Sequence, residues 1–245
     1  MKKTILAAAA LALSVSTASA QDIVRMGTEG LYPPFNFIND ATGELDGFEI
    51  ELGNILCERA GFTCEWIVND WDTIIPNLVA GRFDTIIAGM SITDARREVI
   101  SFTEPYKRAS PSAFMALAGT DPSVTVDGVI AAQSATVQAG LVAESEATLL
   151  EFPTPDDTIS AVRNGEVDAV LADREFLVPF VNDSGGELVF IGEAVTPGDG
   201  VGMGIRQTDN DLREAFNAAI QSVKDDGTLN ELLVRWFGED EPLFD

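Results

Sequence analysis

"GRFDTIIAGMSITDARR", residues 81–97, is where the fold can be read. Gly81 stops a helical pattern, Phe83, Ile86 and Ile87 make an apolar strand, and the small residues Ala88 and Gly89 follow it. Thr93-Asp94 then offers good N-cap chemistry for a short helix that delivers Arg96 and Arg97. The same grammar returns 84 residues later (165 − 81 = 84), where Gly165-Glu166-Val167-Asp168-Ala169-Val170-Leu171 repeats the helix stop, the apolar residue, the aspartate and the two buried strand positions. Helix, glycine, strand is a common unit. Two copies with corresponding strands before them predict two similar α/β lobes rather than one continuous sheet.

Working outward, strand-like and helix-like segments alternate. "DIVRMGT" reads as a strand, "FEIELGNILCERA" as a helix, "TCEWIV" as a strand, "DTIIPNLVAG" as a helix and "FDTIIAG" as a strand. In the second half "VIAAQSA" reads as a strand, "AGLVAESEATLLEF" and "DDTISAVRNG" as helices, and "VDAVLAD" as a buried strand. Beyond it come a helix in "REFLVPFVN", strands in "ELVFIG" and "VGMGIRQ", and closing helices through "NDLREAFNAAIQSVKDDG" and "ELLVRWFG". Such alternation predicts an α/β fold on mainly parallel sheets. The extended stretches "RASPSAFMALA" and "EAVTPGDGVGMGI" are where the chain would cross between lobes, and a pair of crossings makes a hinge.

Lys2 and Lys3, the apolar run Ile5 to Val15 and the small residues Ala18-Ser19-Ala20 predict an export leader over residues 1–20. Its apolar run is too short to span a bilayer, which takes about 18 or more apolar residues. Without Lys2 and Lys3, 13 basic residues face 40 acidic ones, a formal charge of −27. Such a field repels nucleic acid and attracts cations, and it is equally what a saline habitat or a need for solubility selects. The absence of histidine excludes Ser-His-Asp and Cys-His catalysis and histidine metal sites. Cys57 and Cys64 are the only cysteines, so in an exported chain a structural disulfide is expected, Cys57 ending a helix at Gly61 and Cys64 starting the next strand.

Ligands of open α/β sheets bind outside the carboxyl ends of the strands. That rule marks Glu29, the stretch from Ala88 to Arg96, the stretch from Gln133 to Thr136, and Asp173. An arginine for a carboxylate and aspartate or glutamate for cations together suit an amino acid. Each residue also has a plainer reading: Arg96 and Arg97 paired with surface acids such as Glu98, Asp173 capping the next helix, Glu29 a loop acid. For Arg97 the plainer reading is adopted.

At this point the chain resembles the periplasmic solute-binding proteins of polar and basic amino-acid ABC transporters, bacterial extracellular solute-binding protein family 3. The resemblance runs from Ile23 to Gly238 through "GTEGLYPPFNF", "GELDGFEIELGNILCERAG", "DWDTIIPNLVAGRFDTIIAGMSITDARREVISFTEPY", "NGEVDAVLAD" and "DDGTLNELLVRWFG". It implies the type II periplasmic-binding-protein fold and the Cys57–Cys64 disulfide. It makes Arg96 the clamp on the ligand carboxylate, with the backbone at Ser91 and with Thr136 as helpers. Asp173 takes the α-ammonium beside a carbonyl near Gly89, Tyr32 and Trp71 wall the ligand side chain, and Glu29 meets its distal cation. Ala88 and Ala135 stand where many members of the family have Ser or Gly, which widens the cleft and keeps a bulky or quaternary ammonium ligand in play.

The resemblance implies hinge closure between lobe 1 (residues 22–111 plus 195–245) and lobe 2 (112–194). It ranks arginine first, then ornithine or lysine, then an arginine-derived opine. The partner it implies is an ABC permease in the inner membrane, with the binding protein a periplasmic monomer that needs neither cofactor nor metal and binds no nucleic acid. The competing readings are a cyclic-acid dehydratase on the same scaffold, with Glu29 or Asp173 as general acid, and a soluble sensor module.

Overall fold

In the computed structural model, which describes residues 23–245, the first alternation folds as β1 (Ile23–Thr28), a small meander of β2 (Leu31–Tyr32), β3 (Asn36–Ile38) and β4 (Leu45–Asp46), then α1 (Phe48–Ala60), β5 (Thr63–Val68), α2 (Trp71–Val79) and β6 (Thr85–Ile86). The expected leader lies outside the described residues. A four-residue α3 (Asp94–Arg97) and β7 (Ser101–Phe102) precede a second series: β8 (Ser112–Leu117), α4 (Val124–Asp127), β9 (Val129–Gln133), α5 (Val137–Ala143), β10 (Thr148–Phe152), α6 (Pro155–Asn164), β11 (Ala169–Asp173), α7 (Arg174–Asp183) and β12 (Leu188–Val195). The chain then returns through β13 (Gly204–Ile205) to α8 (Asn210–Asp225) and α9 (Thr228–Phe237).

Two five-stranded sheets result, ordered β5-β1-β6-β13-β7 and β10-β9-β11-β8-β12. Position by position they match. Each has a parallel trio, and next to it a strand antiparallel to both of its neighbours. The sequence echo falls on β6 and β11, the third strand of each sheet. Both sheets are therefore mixed rather than mainly parallel, because β13 and β8 enter from the crossing side and run against the trio.

α1 holds to the first sheet through Phe48, Leu52 and Leu56, packed with Met26 and with Phe216, Ile220 and Leu233 of α8 and α9. Gly53 lies where a Cβ would come within 2.7 Å of the Trp66 ring, so glycine in mid-helix reflects a close helix–sheet approach. Gly61 closes α1 in the left-handed region (φ 76), and Cys57 and Cys64 are bonded across it. The second core gathers Met115, Val162, Val170 and Phe176.

Two segments differ from the sequence reading. The helix expected over residues 139–152 is α5 followed by β10. Ser145 ends the helix by donating its hydroxyl to the Val142 carbonyl (2.7 Å) and accepting from the Ala147 N–H (3.1 Å), after which Thr148–Phe152 adds a parallel edge strand to β9. The strand expected over "FDTIIAG" has only Thr85 and Ile86 in the ladder, since Gly89 (φ 60) turns the chain away.

Residues 103–111 and 196–203 carry the chain between the sheets, and they pair with each other. The Tyr106 N–H reaches the Val201 carbonyl and the Val201 N–H the Lys107 carbonyl, both at 2.9 Å. Lys107 is fully buried there, with its ammonium 2.6 Å from Glu241 and 3.0 Å from Glu175 in the first turn of α7.

Candidate functional site

Between the sheets lies a narrow, nearly closed cavity. Its lining includes Glu29, Tyr32, Trp71, Ala88, Gly89, Ser91, Arg96, Thr136 and Asp173, so nine of the ten residues marked from the sequence meet in one place. The tenth, Ala135, lines the adjoining mouth of the cleft.

Arg96 enters from α3, whose start is fixed by the Thr93 hydroxyl accepting the Arg96 N–H. Its guanidinium donates to the Ser91 carbonyl (2.9 Å), approaches the Ala135 carbonyl (3.5 Å) and lies 5.3 Å from the centre of the Trp71 ring. Among the described residues no carboxylate forms an ion pair with it. Burial lowers its pKa to about 10, against the opposing pull of Asp173. Arg97 differs, being bound at the surface to Asp94 (3.0 Å) and Asp199 (2.8 Å) rather than to Glu98.

Asp173 ends β11 and precedes α7, yet its side chain makes no capping bond. It turns into the cleft, where Oδ2 accepts from the Tyr32 hydroxyl (2.9 Å) and Oδ1 from Gln138 Nε2 (2.9 Å) and Ser112 (3.3 Å). Withdrawal from water raises its pKa to about 6, and the neighbouring Glu175 adds to the rise. Tyr32 thus bridges the two lobes, its ring stacked on Phe176 at 4.5 Å. The Trp71 indole N–H is buried without an acceptor among the described residues.

Glu29 follows β1 and is 5 % exposed. Burial raises its pKa to about 7, while a hydrogen bond from Gln133 Nε2 to Oε1 (2.6 Å) pulls the other way. Thr136 caps α5: its hydroxyl accepts from the Ala139 N–H (3.1 Å) and donates to the Gln133 carbonyl (2.6 Å). Beside it Ala135 has φ 58, the one non-glycine residue in the left-handed region among those described. This conformation costs an ordinary residue about 1 kcal/mol or more, and here it turns the Ala135 carbonyl toward Arg96.

Gln133, Val137 and Gln138 also line the cavity without having been singled out as binding residues. Gln133 was reachable, since it ends β9 and opens the stretch that the strand-end rule marks. Nothing in the sequence pattern distinguishes Gln138, a helix residue whose amide reaches Asp173 only through the fold.

The arrangement offers a guanidinium held by carbonyls and two carboxylates withdrawn from water, facing one cavity between the sheets. Comparison with known proteins agrees in kind. The sequence pattern of the bacterial extracellular solute-binding proteins, family 3, matches residues 24–239. The lysine/arginine/ornithine-binding periplasmic protein of Escherichia coli is 32% identical over 256 residues, with 97% of each chain covered. The L-arginine-binding protein of Pseudomonas aeruginosa is 32% identical, with 98% of each covered. A crystal structure of a periplasmic His/Glu/Gln/Arg/opine family-binding protein from Silicibacter pomeroyi in complex with lysine is 62% identical, covers 90% of this chain and 100% of its own, and superposes with a TM-score of 0.86. With two matched α/β lobes, a charged cleft between them and similarity over nearly the whole length, the chain belongs to the bacterial extracellular solute-binding proteins, family 3.

Proposed function

We propose that the protein captures a basic amino acid in the periplasm and presents it to an ABC permease, with arginine ranked first, ornithine or lysine next and an arginine-derived opine third. Arg96 holds the α-carboxylate with the backbone of Ser91 and with Thr136, Asp173 takes the α-ammonium, and Glu29 receives the distal cation. The observation that carries this reading is the charge pattern of the cavity: Arg96 in no ion pair among the described residues, with Asp173 and Glu29 raised by burial to about 6 and about 7. A glutamate can meet a guanidinium through two parallel hydrogen bonds and an ammonium through one, which ranks arginine over lysine.

Residues 22–111 with 195–245 form one lobe and 112–194 the other, and they close on the ligand about the two crossing segments. A ligand that touches both lobes stabilises the closed form by its differential affinity, and that form is what the permease recognises. No bond is made or broken. The named relatives are binding proteins, which supports ligand binding over use of Asp173 and Glu29 as general acids.

Calorimetry tests the reading. L-arginine should bind the wild type, Arg96→Ala should abolish binding of every α-amino acid while the fold persists, and Glu29→Gln should weaken arginine by roughly ten- to a hundredfold with little effect on glutamine. Equal losses for the two ligands would remove Glu29 from its role, and undiminished binding by Arg96→Ala would remove the clamp.

A further inference from the structure

Behind the cavity wall sits a carboxylate that ligand binding alone does not call for. Glu49, in the first turn of α1, is fully buried together with Asn36. Its Oε1 accepts from the Gly89 N–H (2.7 Å) and from the Tyr106 hydroxyl, and its Oε2 accepts from Asn36 Nδ2 (2.7 Å). Asn36 in turn accepts the Gly30 N–H on Oδ1 (2.7 Å). Gly30 and Gly89 are both left-handed (φ 75 and 60); Gly30 follows Glu29 and Gly89 follows Ala88 in the cavity wall. Tyr106 belongs to the segment that crosses to the second lobe, where its own N–H is bonded to Val201.

We propose that Glu49 is a positioning residue for ligand capture: its carboxylate fixes the Gly30 turn, the Gly89 turn and the crossing segment at Tyr106 relative to one another. The planar trans peptide between Ala88 and Gly89 sends the Ala88 carbonyl away from the N–H that Glu49 holds. Through Asn36 the same carboxylate sets the backbone that presents Glu29. Two cavity walls and one hinge strand thereby share a single acceptor. Opposite an Asn36 that donates, only a side chain that accepts on both oxygens satisfies all three donors, so acceptor capacity rather than size is the required property. This inference rests on the ligand-binding reading above for its consequence, though not for its geometry.

The pairing can be reversed without changing its shape. In Glu49→Gln the new amide N–H₂ meets the Asn36 N–H₂, and in Asn36→Asp two carboxylates face each other. In the double variant the carboxylate at 36 accepts both the Gly30 N–H and the amide at 49, whose oxygen still accepts from Gly89 and Tyr106. L-arginine and L-lysine affinities, measured by calorimetry, should fall at least about tenfold in each single variant and return to within about threefold of wild type in the double. The amide proton resonances of Gly30 and Gly89 should shift in the single variants and return in the double. Wild-type affinity in a folded Glu49→Gln, or a double variant that restores neither affinity nor resonances, would overturn the proposal. Should a single variant not fold, recovery or failure in the double variant still decides. A wild type that binds neither amino acid would defeat the ligand reading, and the glycine resonances would then decide Glu49 alone.

Discussion

At Glu29 and Asp173 two carboxylates titrate in the neutral range because the cleft withdraws them from water, Glu29 at about 7 and Asp173 at about 6. Both pKa values are raised above the ordinary carboxylate value. The stability each contributes is therefore fully present below that ordinary value and is lost as pH rises through about 6 and about 7. A bound cation reverses the preference by favouring the ionised form. Arginine binding at pH 6 should accordingly release about one proton, and affinity should rise toward pH 8. Titration in two buffers of different ionisation enthalpy measures the release; heats that do not depend on the buffer would contradict it. That Arg96, Asp173 and Glu29 line one cavity was legible in the sequence because each lies in a stretch that follows the carboxyl end of a strand, where an open α/β sheet gathers its loops. Gln138 and Ser112, which complete the surroundings of Asp173, were not, since a lone amide or hydroxyl carries no pattern. The left-handed Ala135 was also invisible, because only the backbone reveals it.

Among the elements, α1 and β5 coincide with the segments read from the sequence, since helical spacing, a glycine stop and an alternating strand agree there. The disulfide between them closes a loop of eight residues, counting both cysteines. In the chain-entropy model that closure stabilises the fold by about 2.5 kcal/mol. Cys57→Ser with Cys64→Ser should lower the unfolding free energy by about that amount in urea while arginine affinity stays within about twofold, because neither cysteine lines the cavity. A large loss of affinity would show that α1 is positioned by the bond. β10 was misread because its apolar residues continue the pattern of α5, and the break at Ser145 depends on a side-chain turn that helical periodicity does not register. The short β6 was overextended for a related reason: an apolar run says what is buried, not how much of it enters the ladder.

For the whole molecule, the 84-residue echo predicted two similar α/β lobes and falls on the third strand of each sheet, whereas the antiparallel entry of β13 and β8 depended on where the crossings lie. Contacts that run from residues of the first sheet's side to those of the second include Tyr32 to Asp173, Glu29 to Gln133, and the buried Lys107 to Glu175, and on the proposed hinge reading these hold the closed form. Lys107 keeps Glu241 and Ser110 as partners when Glu175 is neutralised. Glu175→Gln should therefore fold normally, increase the radius of the unliganded protein in small-angle scattering and weaken arginine several-fold, since ligand must then supply more of the closing free energy. An unchanged radius and affinity would mean that the pair does not bias the hinge. Lys107→Met, which strands two acids, should instead cost about 3–5 kcal/mol of stability.

The interior place of β13 in the first sheet, between β6 and β7, sets an order of assembly. The second sheet is drawn from one unbroken stretch, residues 112–195, and can form as soon as that stretch is available. The first sheet must wait for residues 204–205, and its core for Phe216, Ile220 and Leu233, all made after the second lobe is complete. Its closing contacts span more than a hundred residues of sequence, and loops of that length are slow to close. The lobe that begins the chain is thus the last to finish folding, and until then its half-built sheet exposes an unpaired β6 edge to whatever chaperones the compartment provides.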